Sequence, residues 1–201
     1  MSDAVRLCLI GAGRHASRNI YPCLHFLQGA EVAANADLEL PRAEAAAAAF
    51  GIPRSYDDYH AMLDAEQPDG VIICVGPEFH ASAAIELMEA GYHVYTEKPN
   101  APTFARSRQV LAVQRRTGRV CMVGYKKRFA PAYREARAVI DSEDFGEPSL
   151  LTLLRTAWHK PDADPMREHL LGWGCHTLDL TTWLFGPVRQ VAAWMTPGPA
   201  R

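Results

Sequence analysis

The 201-residue sequence has no run of about 18 apolar residues, the length a helix needs to cross a bilayer, so no membrane span is expected. It also lacks a basic N-terminal segment leading into an apolar stretch and a cleavage site, so no secretion signal is read and the cytoplasm is the expected location. An excess of charge of either sign is lacking. The 21 basic and 23 acidic side chains leave a net charge of −2, which gives no footprint for nucleic acid or an anionic membrane. The five cysteines (Cys8, Cys23, Cys74, Cys121, Cys175) are odd in number and contain no C-x-x-C pair, so neither a disulfide framework nor a metal site is expected. Three of them fall inside apolar runs and read as small core residues. Internal repeats and long linkers are absent as well, and 48% hydrophobic residues over this length suit one large or two small globular domains.

What is present begins at Val5, where the apolar run to Ile10 breaks into Gly11-Ala12-Gly13-Arg14-His15-Ala16, a G-x-G-x-x-A turn followed by helical spacing. It reads as strand, phosphate turn, helix. Gly11 would turn the backbone sharply, Gly13 would leave no Cβ facing a pyrophosphate, and Ala16 would let helix and sheet pack closely. The first helical turn would offer its unpaired N–H groups to the phosphates. Asp37 closes the next apolar run about 20 residues on, where a carboxylate can hold a ribose diol.

Ile20, Leu24 and Leu27 recur at helical spacing, with Pro22 kinking that helix or confining its regular part to the second half, and Gly29 is the expected stop. An alanine-rich helix runs from Pro41 to Phe50 and a short one from Tyr56 to Leu63; Gly70 to Val75 reads as the fourth strand, buried on both faces. After Gly76-Pro77 comes a helix closed by Gly91, a fifth strand from Tyr92 into Thr96-Glu97-Lys98-Pro99, a helix over 103–117 and a sixth strand over 119–123. Such alternation predicts an α/β fold, a doubly wound parallel sheet. Gly11, Gly13, Asp37, Gly76, Pro77, Lys98 and Tyr125 then all fall at carboxyl ends of strands, where ligands bind.

Beyond Phe129 the pattern changes to a helix over 131–141, a strand over 149–159, a helix over 166–185 and a strand over 188–196. The expected organisation is therefore a dinucleotide-binding domain over 1–121 and an incomplete α+β domain over 122–201. Two strands cannot bury both faces of a sheet. Leu150, Leu151, Leu153, Leu154, Trp158, Val191 and Trp194 would leave apolar surface uncovered, so a homo-oligomer formed through the C-terminal segment is expected.

The text VIICVGPEFHASAAIELMEAGYHVYTEKP over 71–99 resembles the glucose-fructose oxidoreductase / inositol dehydrogenase (Gfo/Idh/MocA) family, with its P-x-x-H turn, A-G-x-H-V strand and E-K-P. GAGRHA, Ala36-Asp37, the GYKKRF run over 124–129 and the GCHTLD run over 174–179 extend the resemblance along the chain. It implies a Rossmann-type domain that binds NAD or NADP, a C-terminal substrate domain, and oxidation or reduction of a sugar, cyclitol or related alcohol. NAD is expected over NADP because Asp37 would repel a 2′-phosphate and no arginine stands at 38 or 39, Arg42 being the residue that could spoil this. Arg14, His15, Gly76, Pro77, His80, Glu97 and Lys98 join the expected cofactor set. The resemblance gives Lys98 the substrate oxygen, with the Lys98-Pro99 bond cis, and gives His176 the acid–base role. Arg128 and Tyr125 would line the substrate mouth.

One departure bears on function. Where similar enzymes carry an aspartate four residues before the histidine, this chain has Gly172, which leaves Asp179, Tyr125 or water to complete the relay. The alternative to an oxidoreductase is thus a non-catalytic dinucleotide-binding protein or a truncated remnant of such an enzyme. A methyltransferase shares the opening turn but gives no reason for E-K-P.

Overall fold

The computed structural model describes residues 4–154 and 168–194, and the chain divides into two units, Met1–Gly124 and Tyr125–Arg201. In the first unit six strands form one parallel sheet in the order β3-β2-β1-β4-β5-β6. They are β1 Val5–Ile10, β2 Ala30–Ala36, β3 Arg54–Tyr56, β4 Gly70–Ile73, β5 His93–Thr96 and β6 Cys121–Val123. The helices between them are α1 Leu40–Phe50, α2 Tyr59–Glu66, α3 Pro77–Glu89 and α4 Phe104–Thr117. This is the doubly wound order of a Rossmann fold, and its direction reverses between β1 and β4.

Alternation along the strands feeds two cores. Cys8, Ile10, Val71 and Ile73 point to one face, where Ala84, Leu87 and Met88 of α3 are buried against them. Leu9 points to the other face, with Ala46 and Ala47 of α1 and Tyr21. The alanine run of α1 is thus a packing device, since short side chains let the helix approach the sheet. Gly51, Gly118 and the N-caps Asp58 and Thr103 close or open helices by the usual local chemistry.

Several boundaries differ from expectation. Tyr56 does not open a helix: it ends the edge strand β3, paired to Ala36, and α2 starts three residues later behind Asp58, whose carboxylate accepts from the His60 N–H. After the phosphate turn the chain makes a π-helical turn over Ala16–Ile20 and a 3-10 helix over Tyr21–Phe26, ending before Gly29. Pro22 has no N–H to continue an α ladder, and the irregular winding drives Tyr21 into the core, where its hydroxyl donates to the Gly11 carbonyl at 3.3 Å. Buried Asn35 holds the same hydroxyl at 3.2 Å and the Ala43 carbonyl at 2.9 Å, tying α1 and β2 to the turn.

In the second unit α5 spans Pro131–Ile140, a π-helical stretch spans Glu168–Gly174 and α6 spans Cys175–Phe185. The expected strand over 149–159 makes no ladder in its described part, 149–154, and the strand over 188–196 makes none over 188–194. Among the described residues no neighbouring strand is present to accept their backbone groups. Residues 155–159, including Trp158, residues 195–196, and the first two residues of the 166–185 helix lie outside the described residues.

Candidate functional site

Above the reversal point of the sheet the first unit opens a cavity of about 620 Å³, lined by Gly11, Gly13, Arg14 and His15 from the turn after β1, by Asp37 and Arg42 after β2, and by Gly76 after β4. Gly11 has φ +99°, and an added Cβ would stand 2.3 Å from the Cys74 carbonyl oxygen. Only glycine fits there. A Cβ on Gly13, by contrast, meets no heavy atom within 4 Å, so the space beside this backbone is open.

Asp37 is held rather than free to swing. Its Oδ2 accepts from the Ala12 N–H at 2.8 Å and its Oδ1 from the Glu39 N–H at 3.0 Å. The side chain is only 9% exposed, and Arg42 reaches Oδ1 at 3.1 Å and Glu39 at 2.5 Å. Each carboxylate oxygen can accept more than one hydrogen bond, so the group retains acceptor capacity toward the cavity. Cavity-lining residues that sequence reasoning missed are Tyr59 and Phe79, whose rings meet edge to face at 5.9 Å. The available signal was position: Phe79 lies in the first turn after β4 and Tyr59 just past β3.

At the end of β5, Glu97 is nearly buried. Its Oε1 accepts from the Tyr95 hydroxyl at 3.2 Å, its Oε2 accepts from the Lys98 N–H at 3.2 Å, and His15 Nε2 stands 3.6 Å away. Asn19 Nδ2 stands 3.3 Å from His15 Nδ1 on the other side of the ring. The phosphate turn and the E-K-P segment therefore meet through His15 and Glu97. The Lys98-Pro99 peptide is cis, and Lys98 is half-buried. Pro77 is the first residue of α3. His80 is not part of the cavity wall; it is buried, with Nδ1 2.7 Å from the Pro99 carbonyl oxygen.

In the second unit Tyr125, Arg128, His176 and Asp179 come together. The Tyr125 and His176 rings meet edge to face at 6.3 Å, and His176 is buried. Arg128 grips Asp179 with Nε at 2.9 and 3.1 Å from the two oxygens and adds a contact from Nη2. That bidentate pair raises the guanidinium further above its already high value and commits Asp179, whose side chain is 7% exposed, to the arginine. Burial, then the neighbouring Cys175 and Asp179, pushes the Tyr125 hydroxyl up to about 12. Gly172, four residues before His176, has no side chain to add to this group.

Comparison with known proteins agrees with this geometry. Residues 5–125 match the model of an oxidoreductase family with an NAD-binding Rossmann fold, and residues 133–200 match the GFO/IDH/MocA C-terminal domain. Inositol 2-dehydrogenase 2 of Saccharopolyspora erythraea is 32% identical over 190 residues, which are 94% of this chain and 56% of that protein. D-apiose dehydrogenase of Paraburkholderia graminis is 34% identical over 191 residues, 92% of this chain and 51% of the relative. The solved myo-inositol 2-dehydrogenase of Lactobacillus plantarum superposes with a TM-score of 0.65 at 28% identity, covering 72% of this chain and 43% of that one. The chain thus spans about half the length of the curated relatives it matches. By its sheet order, its phosphate turn and these matches, the chain belongs to the Gfo/Idh/MocA oxidoreductase family.

Proposed function

We propose that this chain carries the cofactor-binding domain and C-terminal-domain sequence of an NAD(P)-dependent oxidoreductase acting on a CH–OH group of a sugar, cyclitol or related alcohol. The observation that carries the reading is the cavity in which an open glycine edge at Gly13 and the anchored carboxylate of Asp37 stand at the ends of adjacent strands. These residues fit a dinucleotide, which would supply hydride acceptance or donation at the substrate carbon. Gly13 admits close backbone approach of the phosphates, and Arg14 at the cavity wall adds positive charge.

Asp37 accepts from the ribose hydroxyls and disfavours a 2′-phosphate, so NAD is preferred over NADP. Arg42 offsets part of that charge from 3.1 Å, which is the route by which NADPH retains measurable affinity. Lys98 holds the substrate oxygen and eases loss of its proton, and His176 is the candidate acid–base group of the second unit. Tyr125 stays protonated at neutral pH and serves as a donor to the substrate. Arg128 acts on the substrate side through its tie to Asp179. Exposed Leu150, Leu154, Val191 and Trp194 support self-association through the C-terminal segment.

A second reading, a dinucleotide-binding protein without turnover, draws support from Gly172 and from the commitment of Asp179 to Arg128. Titration with NADH and NADPH, followed by nicotinamide fluorescence and then by turnover across a panel of polyols, separates the two. Binding with turnover supports the enzyme, binding without turnover the second reading, and no binding of either nucleotide refutes both.

A further inference from the structure

Among the buried titratable groups, His80 has no role in the chemistry above. It stands in the first turn of α3, is 1% exposed, and its Nδ1 lies 2.7 Å from the Pro99 carbonyl oxygen. A carbonyl oxygen only accepts, so the imidazole donates and its proton sits on Nδ1. Nε2 makes no hydrogen bond of good geometry; burial holds the ring below the ordinary histidine value and outweighs the backbone at Pro99 and Val75, which favours the charged ring, so His80 is neutral with a single N–H at neutral pH. A buried polar group half satisfied in this way is costly, which calls for a reason why an imidazole occupies the position.

The reason lies in what the bond joins. Gly76 and Phe79, beside His80, line the cavity, whereas Pro99 directly follows Lys98. Lys98 is bracketed by two hydrogen bonds: its own N–H donates to Glu97 Oε2, and the carbonyl of the next residue accepts from His80. The peptide that precedes Lys98 and the one that follows Pro99 are thus both held, and the lysine leaves the backbone between these two anchors.

We propose that His80 is a positioning residue, which sets the direction of Lys98 through the Pro99 carbonyl and couples that direction to the cavity wall at Gly76 and Phe79. Its functional weight rests on the substrate-side role given to Lys98. Three substitutions test it. Asn places an amide donor near the position of Nδ1, Gln places it near Nε2, and Leu fills the space with no donor. The readout is the acetylation rate of Lys98 by dilute acetic anhydride, measured by mass spectrometry against Lys126 and Lys127 in the same chain, with thermal unfolding in parallel.

His80→Asn should keep the wild-type Lys98 rate within about twofold, while His80→Gln and His80→Leu should shift it by about fivefold, the equivalent of one hydrogen bond. Should Leu fail to fold, the contrast between Asn and Gln still decides, because both fill the site with an amide. Asn and Gln behaving alike, or all folded variants matching wild type, would overturn the proposal. The role of Lys98 fails separately: if the labelling contrast holds but Lys98→Ala leaves polyol turnover intact, His80 orients a lysine that has no part in the chemistry.

Discussion

The two glycines of the phosphate turn should fail in opposite ways when each is changed to alanine. At Gly11 the φ of +99° is strained for any L side chain, and the new Cβ would lie 2.3 Å from the Cys74 carbonyl oxygen and 2.8 Å from Val75 Cγ1. The first effect costs about 1–3 kcal/mol and the overlap with a packed strand end about 1–3 kcal/mol more. A loss of about 2–6 kcal/mol is a large part of the stability of a domain. With a urea m-value of about 2 kcal/mol/M it moves the unfolding midpoint down by about 1–3 M. At Gly13 neither penalty applies, because the Cβ meets no protein atom within 4 Å, so the midpoint should stay where it is. The cost appears instead on binding: a methyl group in the path of the pyrophosphate should weaken NADH by at least about tenfold, or 1.4 kcal/mol. Urea unfolding by circular dichroism and NADH titration by fluorescence, run on both variants, give four numbers. A Gly11→Ala protein that unfolds at the wild-type midpoint would refute the steric argument, and a Gly13→Ala protein that binds NADH as wild type would refute the placement of the phosphates.

Asp37→Ala should weaken NADH by about tenfold, the loss of a charged hydrogen bond, and narrow its advantage over NADPH, whereas Arg42→Ala should weaken NADPH alone; equal effects on both cofactors in competition titrations would discard the assignment. Lys98→Ala should keep NADH affinity within a few-fold and abolish most turnover, as steady-state kinetics on the responsive polyol will report. Glu66 is nearly buried; burial pushes its carboxyl up, but the Tyr56 hydroxyl at 2.7 Å and the guanidiniums of Arg54 and Arg6 outweigh this, and the net shift is downward. A depressed native pKa stabilises the fold above the unfolded value of about 4.3 and is lost as pH falls through the native one, so Glu66→Gln should cost about 1–3 kcal/mol at pH 7 and less below pH 4 in urea melts. Sedimentation velocity at micromolar concentration should show a dimer or larger species, and a monomer with a protease-resistant 149–196 segment would remove the case for association.

Local chemistry explains why so much of the first unit could be read from the sequence. A buried parallel strand must be apolar throughout, a helix must stop at a residue that tolerates φ > 0, and a phosphate turn needs glycine at fixed offsets; each rule acts within a few residues. Gly51 and Gly118, both left-handed, end α1 and α4 where the sequence stops them. Edge strand β3 escaped because three residues, Arg54 to Tyr56, carry no periodicity and become a strand only by pairing with β2. The segment after the turn escaped because the burial of Tyr21, a partner of Asn35 and Gly11, outweighs regular α winding.

The same division runs through the site. Sequence alone determined the turn, the acid after β2 and the E-K-P strand end, because each is a short motif whose meaning lies in its own spacing. Tertiary structure decided which groups meet: Arg42 on Asp37, His15 facing Glu97, His80 beneath Pro99, and Arg128 on Asp179 across 51 residues of chain. A carboxylate's partner is set by which donor the fold carries to within about 3 Å, and no sequence spacing encodes that distance.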